Sequence, residues 1–112
     1  MKMIQAIIRP SKLEDVKDAL DKAGYVSLTS FEIKGRGRQK GITQTWRGEE
    51  YKVDMLPKVK VEIVVPDEKE DAVVELMRKA AYTGNIGDGK IFVLPVEKTI
   101  RIRTGETNGK AL

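Results

Sequence analysis

Ile7-Ile8-Arg9-Pro10-Ser11-Lys12-Leu13-Glu14-Asp15 is echoed 56 residues later by Ile63-Val64-Val65-Pro66-Asp67-Glu68-Lys69-Glu70-Asp71, an offset of half the 112-residue chain. In each copy an apolar run meets a proline, and a polar residue with a glutamate three positions on follows. Proline disfavours helix in the residue before it and so marks a strand end. Ser11 with Glu14, and Asp67 with Glu70, have the spacing of a capping box. The spacing therefore predicts strand, cap and helix, twice over.

Working outward, Leu13, Val16, Ala19, Leu20 and Ala23 recur at helical spacing, and Gly24 is a natural stop. The second stripe is Ala72, Val73, Leu76, Met77 and Ala80, with Gly84 shortly beyond. Met3 to Arg9 and Val59 to Val65 read as the leading strands. Tyr25 to Lys34 and Ile91 to Val96 read as the strands after the helices. This order predicts an α+β, ferredoxin-like βαββαβ domain over residues 1–112, with four antiparallel strands and both helices on one face. Right-handed crossovers fix its topology. The other face of the sheet is left bare, and self-association is the simplest cover. Aromatic residues are few, so the core is expected to be aliphatic.

The net charge is +4, from 21 Lys and Arg against 17 Asp and Glu. It favours anionic partners without choosing among nucleotide, nucleic acid and acidic protein. The absence of cysteine excludes disulfides and thiolate catalysis. The absence of histidine removes the commonest general base and metal ligand, which speaks against an enzyme. No apolar run reaches the ~18–20 residues that span a bilayer. Met1-Lys2-Met3-Ile4 leads into a strand-like run rather than a signal peptide, so a cytoplasmic protein is expected.

Three segments combine glycines or alternation with cations: Gly35-Arg36-Gly37-Arg38-Gln39-Lys40-Gly41, Thr83-Gly84-Asn85-Ile86-Gly87-Asp88-Gly89-Lys90, and Arg101-Ile102-Arg103. Glycine lets backbone N–H groups approach an anion, and Lys and Arg supply the opposite charge. Together they suggest a polyphosphate site assembled by folding. None ends in the Gly-Lys-Ser/Thr of a Walker A loop. Taken singly, the first could be a solvated turn or an RNA contact, and the second a glycine turn into a strand. The third could be an amphipathic edge strand with both arginines on one side. Lys58 and Glu62, four apart on a strand, share a face. Residues 36 to 56 break the pattern, as a functional loop, an extended hairpin or a disordered insert. The polar tail Thr104 to Gly109 is expected to be mobile.

Taken jointly, these segments resemble the PII family of nitrogen signal-transduction proteins. The likeness runs through Ile7-Ile8-Arg9-Pro10, Lys34-Gly35, Gly37 to Gly41, Trp46-Arg47-Gly48-Glu49-Glu50-Tyr51, Leu56-Pro57-Lys58-Val59-Lys60, Thr83-Gly84, Ile86 to Val93, and Ile100 to Gly105. It covers essentially the whole chain. The resemblance implies a homotrimer with ATP or ADP in the clefts between subunits. It implies a target-binding T-loop at about residues 37–55, a B-loop at about 82–90 and a C-terminal segment at about 101–112. It places Gly35, Gly37, Arg38 and Gln39 beside nucleotide and effector, with Gln39 offering an oxygen to Mg2+. Gly87, Asp88, Gly89 and Lys90 ring the phosphates, and Arg101 and Arg103 reach them across a subunit boundary. Lys58 pairs with a carboxylate of 2-oxoglutarate, Glu62 contacts the adenosine side, and Thr29 and Val64 line the base and ribose pocket. Arg47 matches the residue that enters an ammonium transporter pore, and Tyr51 the residue uridylylated in some members. Trp46, Glu49 and Arg36 depart from the usual Tyr, small residue and aromatic.

The expected function is a non-catalytic sensor of nitrogen, carbon and energy status. ATP with Mg2+ creates the 2-oxoglutarate site, and the T-loop then changes its grip on a target. An ammonium transporter at the cytoplasmic membrane face is the first expected partner. Glutamine synthetase or a uridylyltransferase are others, and nucleic acid is not expected. The alternatives are an RNA-binding module on the same sheet, which would lack the RNP1 aromatics, and a slow phosphoryl-transfer enzyme using Glu62, Asp88 and Lys90.

Overall fold

The computed structural model describes residues 1–37, 42–46, 48–53 and 55–112, with the backbone alone over 42–46 and 49–53. Strand β1 (Lys2–Ile8) leads through a 3-10 turn (Pro10–Lys12) into helix α1 (Leu13–Lys22) and strand β2 (Thr29–Gly35). A hairpin of β3 (Ile42–Trp46) and β4 (Glu49–Val53) follows, then β5 (Leu56–Val65). A second 3-10 turn (Asp67–Lys69), α2 (Glu70–Ala81) and β6 (Lys90–Pro95) repeat the plan. The main sheet has the order β2-β5-β1-β6 with every pairing antiparallel, which is the expected ferredoxin-like arrangement.

Side chains alternate across a strand, and here the alternation sorts core from open face. Ile4, Ala6 and Ile8 of β1 and Val59, Val61, Ile63 and Val65 of β5 are buried against the helices. Val16 and Leu20 of α1 and Val73, Met77 and Ala81 of α2 close the core from above. Among the described residues this core holds no aromatic ring, as the composition implied. Ala23 and Ala72, at the margins of the expected stripes, are exposed, while Ala81 is buried instead. The opposite face of the sheet exposes Phe31, Phe92 and Leu94.

Four local expectations need correction. Neither capping box forms: Pro10 opens one 3-10 turn and Pro66 immediately precedes the other, so α1 and α2 begin after Lys12 and Lys69, and neither makes a side-chain cap hydrogen bond. Asp67 instead accepts the Met1 ammonium at 2.8 Å. Arg101 and Arg103 do not lie on a strand; residues 102–104 form a turn between Ile100 and Thr107, which are bridged. The tail is folded back rather than free, since Arg101 N donates to Glu106 O (2.9 Å) and Asn108 N to Thr99 O (2.8 Å). Finally, β2 begins at Thr29, so Tyr25 to Leu28 are a connection rather than strand. The stretch between β2 and β5 holds an antiparallel hairpin registered from Ile42↔Val53 to Trp46↔Glu49, with Gly48 at φ 80° in its turn.

Gly89 sits one residue before β6, beside the last pair Ile7↔Lys90, at φ 102°. A methyl group there would overlap the Ile7 carbonyl. Gly89→Ala must therefore adopt a disfavoured backbone conformation and also push β6 away from β1. We expect a loss of at least about 2 kcal/mol in stability, read as a lower urea midpoint.

Candidate functional site

The antiparallel topology brings four strand ends to one edge of the open face. These are the C-terminal ends of β1 and β2 and the N-terminal ends of β5 and β6. Between them lies a cleft of about 490 Å³. Gly35, Gly37, Lys58, Gly87, Asp88, Gly89 and Lys90 all line it, together with Arg36, Ile7 and Phe92. The first two glycine- and cation-bearing segments thus converge.

Lys58 is the one buried charged residue among the described side chains, 8% exposed. Its ammonium donates to the Gly87 carbonyl at 2.8 Å. Burial, and then repulsion from Arg9, push its pKa down, while Asp88 pulls it up. A cation in a partly desolvated cleft attracts carboxylate or phosphate strongly, because little water competes for it.

Asp88 lines the cleft and also ties the loop together. Its Oδ2 accepts the backbone N–H groups of Thr83 (2.8 Å) and Gly84 (2.9 Å). Its Oδ1 accepts the Thr83 hydroxyl and Arg9 Nε, the latter at 3.1 Å. Arg9 also donates from Nη2 to the Ile86 carbonyl at 2.9 Å, and Asn85 N donates to Thr83 Oγ1 at 3.2 Å. Both Asp88 oxygens are therefore engaged inside the loop, which leaves it a poor general base. Sequence reasoning named Asp88 but gave no role to Arg9 or Thr83. The available signal was weak: a cation before Pro10 and a Thr-Gly pair past a helix end.

Thr29, Glu62 and Val64 line a second cleft of about 380 Å³, with Met3 and Ser27. Glu62 accepts Gln5 Nε2 there at 2.6 Å. Lys58 and Glu62 do share the open face, but four residues of strand hold them about 13 Å apart along it. Arg101 and Arg103 line neither cleft. Arg101 is engaged by Leu112 O (3.2 Å) and Glu106 Oε1 (3.6 Å). Arg38, Gln39 and Arg47 lie outside the described residues, as does the side chain of Tyr51. Among the described residues no group of three or more His, Cys, Asp or Glu could hold a metal.

The bonds from Thr83, first its hydroxyl and then its N–H, with those from Gly84 and Arg9, hold the Asp88 carboxyl well below the usual carboxylate range. Because the folded pKa lies below the unfolded value, Asp88 stabilises fully above about pH 4, and this stabilisation is lost as pH falls further. Asp88→Asn should be less stable at neutral pH. Its stability should also fall less steeply than wild type below about pH 4, measured by urea titration at stepped pH.

Comparison with known proteins shows the family. Residues 1–106 match the family described as Nitrogen regulatory protein P-II. The chain is 60% identical to the Nitrogen regulatory protein P-II of Rhizobium meliloti, over all of both chains. It is 58% identical to the Nitrogen regulatory protein P-II 2 of Methanothermobacter thermautotrophicus, over all of this chain and 97% of that one. It is 53% identical to the Nitrogen regulatory protein GlnK of Escherichia coli, again over all of both. A family match over nearly the full length and a fold with the glycine loops meeting at one cleft lead to one conclusion: the chain belongs to the nitrogen regulatory protein P-II family.

Proposed function

We propose that this chain senses adenine nucleotide and 2-oxoglutarate and passes their state to a target protein through the segment between β2 and β5. Members of the family are signal-transduction regulators, not enzymes. The observation that carries the ligand reading is the 490 Å³ cleft with the buried Lys58 at its wall.

The residues present fit the proposed ligands. Lys58, Lys90 and Arg36 give the cleft positive charge, and Gly87 and Gly89 let backbone approach an anion. Mg2+ prefers oxygen ligands from phosphates and water to an all-protein cage, so the lack of an acidic cluster in the described residues suits it. Gln39 would supply the protein oxygen. Lys58 would release the Gly87 carbonyl and pair with a carboxylate of 2-oxoglutarate. The phosphate oxygens of ATP, when bound, would complete the Mg2+ ligands beside Gln39. ADP would favour the other state of the loop. A difference of about 1.4 kcal/mol between the two loop states changes target affinity tenfold, so modest contacts suffice.

Two clefts at opposite ends of one open face also suggest how the site is completed. Thr29, Glu62 and Val64 of one copy would take the adenosine side, facing the Lys58 cleft of the next. Arg101 and Arg103 would come from the neighbouring copy too. The apolar Phe31, Phe92 and Leu94 on that face are suited to a subunit contact, and we propose a homotrimer. The target we favour is the cytoplasmic face of an ammonium transporter, with Arg47 as the plugging cation. Glutamine synthetase or a uridylyltransferase acting on Tyr51 are further partners in this reading. The chain would work in the cytoplasm and at the membrane surface; none of its described helices is long and apolar enough to cross a membrane.

Calorimetric titration tests the ligand reading. Mg-ATP should bind first, and 2-oxoglutarate should bind only after it. Lys58→Met should weaken 2-oxoglutarate at least about thirtyfold, since truncating one partner of a buried charge pair costs about 2 kcal/mol or more. Absence of nucleotide binding would sink the proposal. Sedimentation equilibrium should give three times the chain mass, and Phe92→Asp should shift it toward the monomer by placing a charge in the contact.

A further inference from the structure

The loop from Tyr82 to Gly89 presents a physical problem that its hydrogen bonds solve. Gly84, Gly87 and Gly89 all have positive φ, at 90°, 105° and 102°. Three glycines in six residues give an untethered loop many conformations, and ordering them upon binding would cost affinity. A carboxylate on the wall of a phosphate cleft adds a second problem, because it repels the ligand. The Asp88 network answers both.

We propose that Thr83 and Arg9, acting through the Asp88 carboxylate, are positioning residues for the nucleotide phosphates; this rests on the nucleotide reading above. Asp88 ties the end of the loop to its beginning, through the N–H groups of Thr83 and Gly84 and the Thr83 hydroxyl. Arg9 anchors that closed loop to the end of β1 and also holds its centre at the Ile86 carbonyl. Lys58 holds the next carbonyl, of Gly87. With successive carbonyls turned to Arg9 and Lys58, the Gly87–Lys90 stretch keeps one shape on the cleft wall. The Arg9 charge and the hydroxyl bond also offset the Asp88 charge where phosphates approach. Neither residue needs to touch the ligand. The low pKa of Asp88 is consistent with this, since the carboxylate keeps its charge and its bonds throughout the neutral range.

The test compares Mg-ATP, by calorimetry, with adenosine, by NMR titration, on the full chain. Thr83→Val keeps the shape and removes the hydroxyl. It should weaken Mg-ATP about tenfold, the loss of one hydrogen bond to a charged group, and leave adenosine unchanged. Thr83→Ser should restore wild-type affinity. Arg9→Gln should weaken ATP more than ADP, because uncompensated Asp88 repels in proportion to ligand charge. A general loss of folding would weaken ATP and adenosine alike, and that result would overturn the proposal. ATP affinity within about twofold of wild type in both Thr83→Val and Arg9→Gln would overturn it as well. If wild type binds no nucleotide, the functional reading fails and this proposal with it. If wild type binds and both variants are indifferent, the positioning role alone fails.

Discussion

The pairing of β1 with a strand on each side is the constraint on which the rest depends. Seven residues of β1 register with β5 and six with β6. Strand periodicity then sends Ile4, Ala6 and Ile8 under the helices and Met3, Gln5 and Ile7 to the open face. A slip of one residue would exchange the two sets, exposing the core triplet, so the register is strongly specified. That register also places the functional parts. Ile7 lines the cleft, its carbonyl makes glycine necessary at position 89, and Arg9 emerges one residue beyond the strand, within reach of Asp88.

The cleft owes its character to where charges end up, more than to how many there are. A net charge of +4 is unremarkable for a domain of this size, yet Lys58, Lys90 and Arg36 converge on one edge of the sheet. Among the described residues Lys58 is the most buried cation, and its ammonium donates to a neutral carbonyl, that of Gly87. The neighbouring carboxylate, Asp88, is occupied on both oxygens by the loop. Among the described residues the cleft therefore offers positive charge and backbone, and its carboxylate Asp88 is already engaged. The family to which the chain belongs is one of signal-transduction regulators, not enzymes.

The sequence and the structure diverge where a local rule competes with a tertiary contact. The Ser11 and Asp67 spacings satisfy the capping-box rule, yet each lies in a 3-10 turn, Pro10 opening the first and Pro66 preceding the second, and each helix starts only after its turn. Asp67 is then free to bind the Met1 ammonium. Arg101 and Arg103 alternate with isoleucines as strand residues do, but Gly105, at φ 71°, turns the chain back so that Thr107 bridges Ile100. Within one chain the named residues fall into two clefts: Lys58 and Lys90 share one, and Glu62 lies in another with Thr29 and Val64.

By itself the sequence determined the α+β class, the two helices, the four-stranded sheet and its aliphatic core. These follow from periodicity and from proline and glycine punctuation, which are written locally along the chain. It also marked Gly35, Gly37, Lys58, Gly87, Gly89 and Lys90, because glycine beside a cation carries chemical meaning without coordinates. Only the tertiary structure decided that these residues meet at one edge, that Lys58 is buried there, and that Asp88 serves the loop. It alone brought Arg9 to Asp88, across 79 residues of sequence, and showed that Thr83 bonds to the same carboxylate. The physical reason is that contact between distant segments depends on strand order and register. Those are set by the burial of one sheet face beneath the packed helices, and no local pattern encodes them.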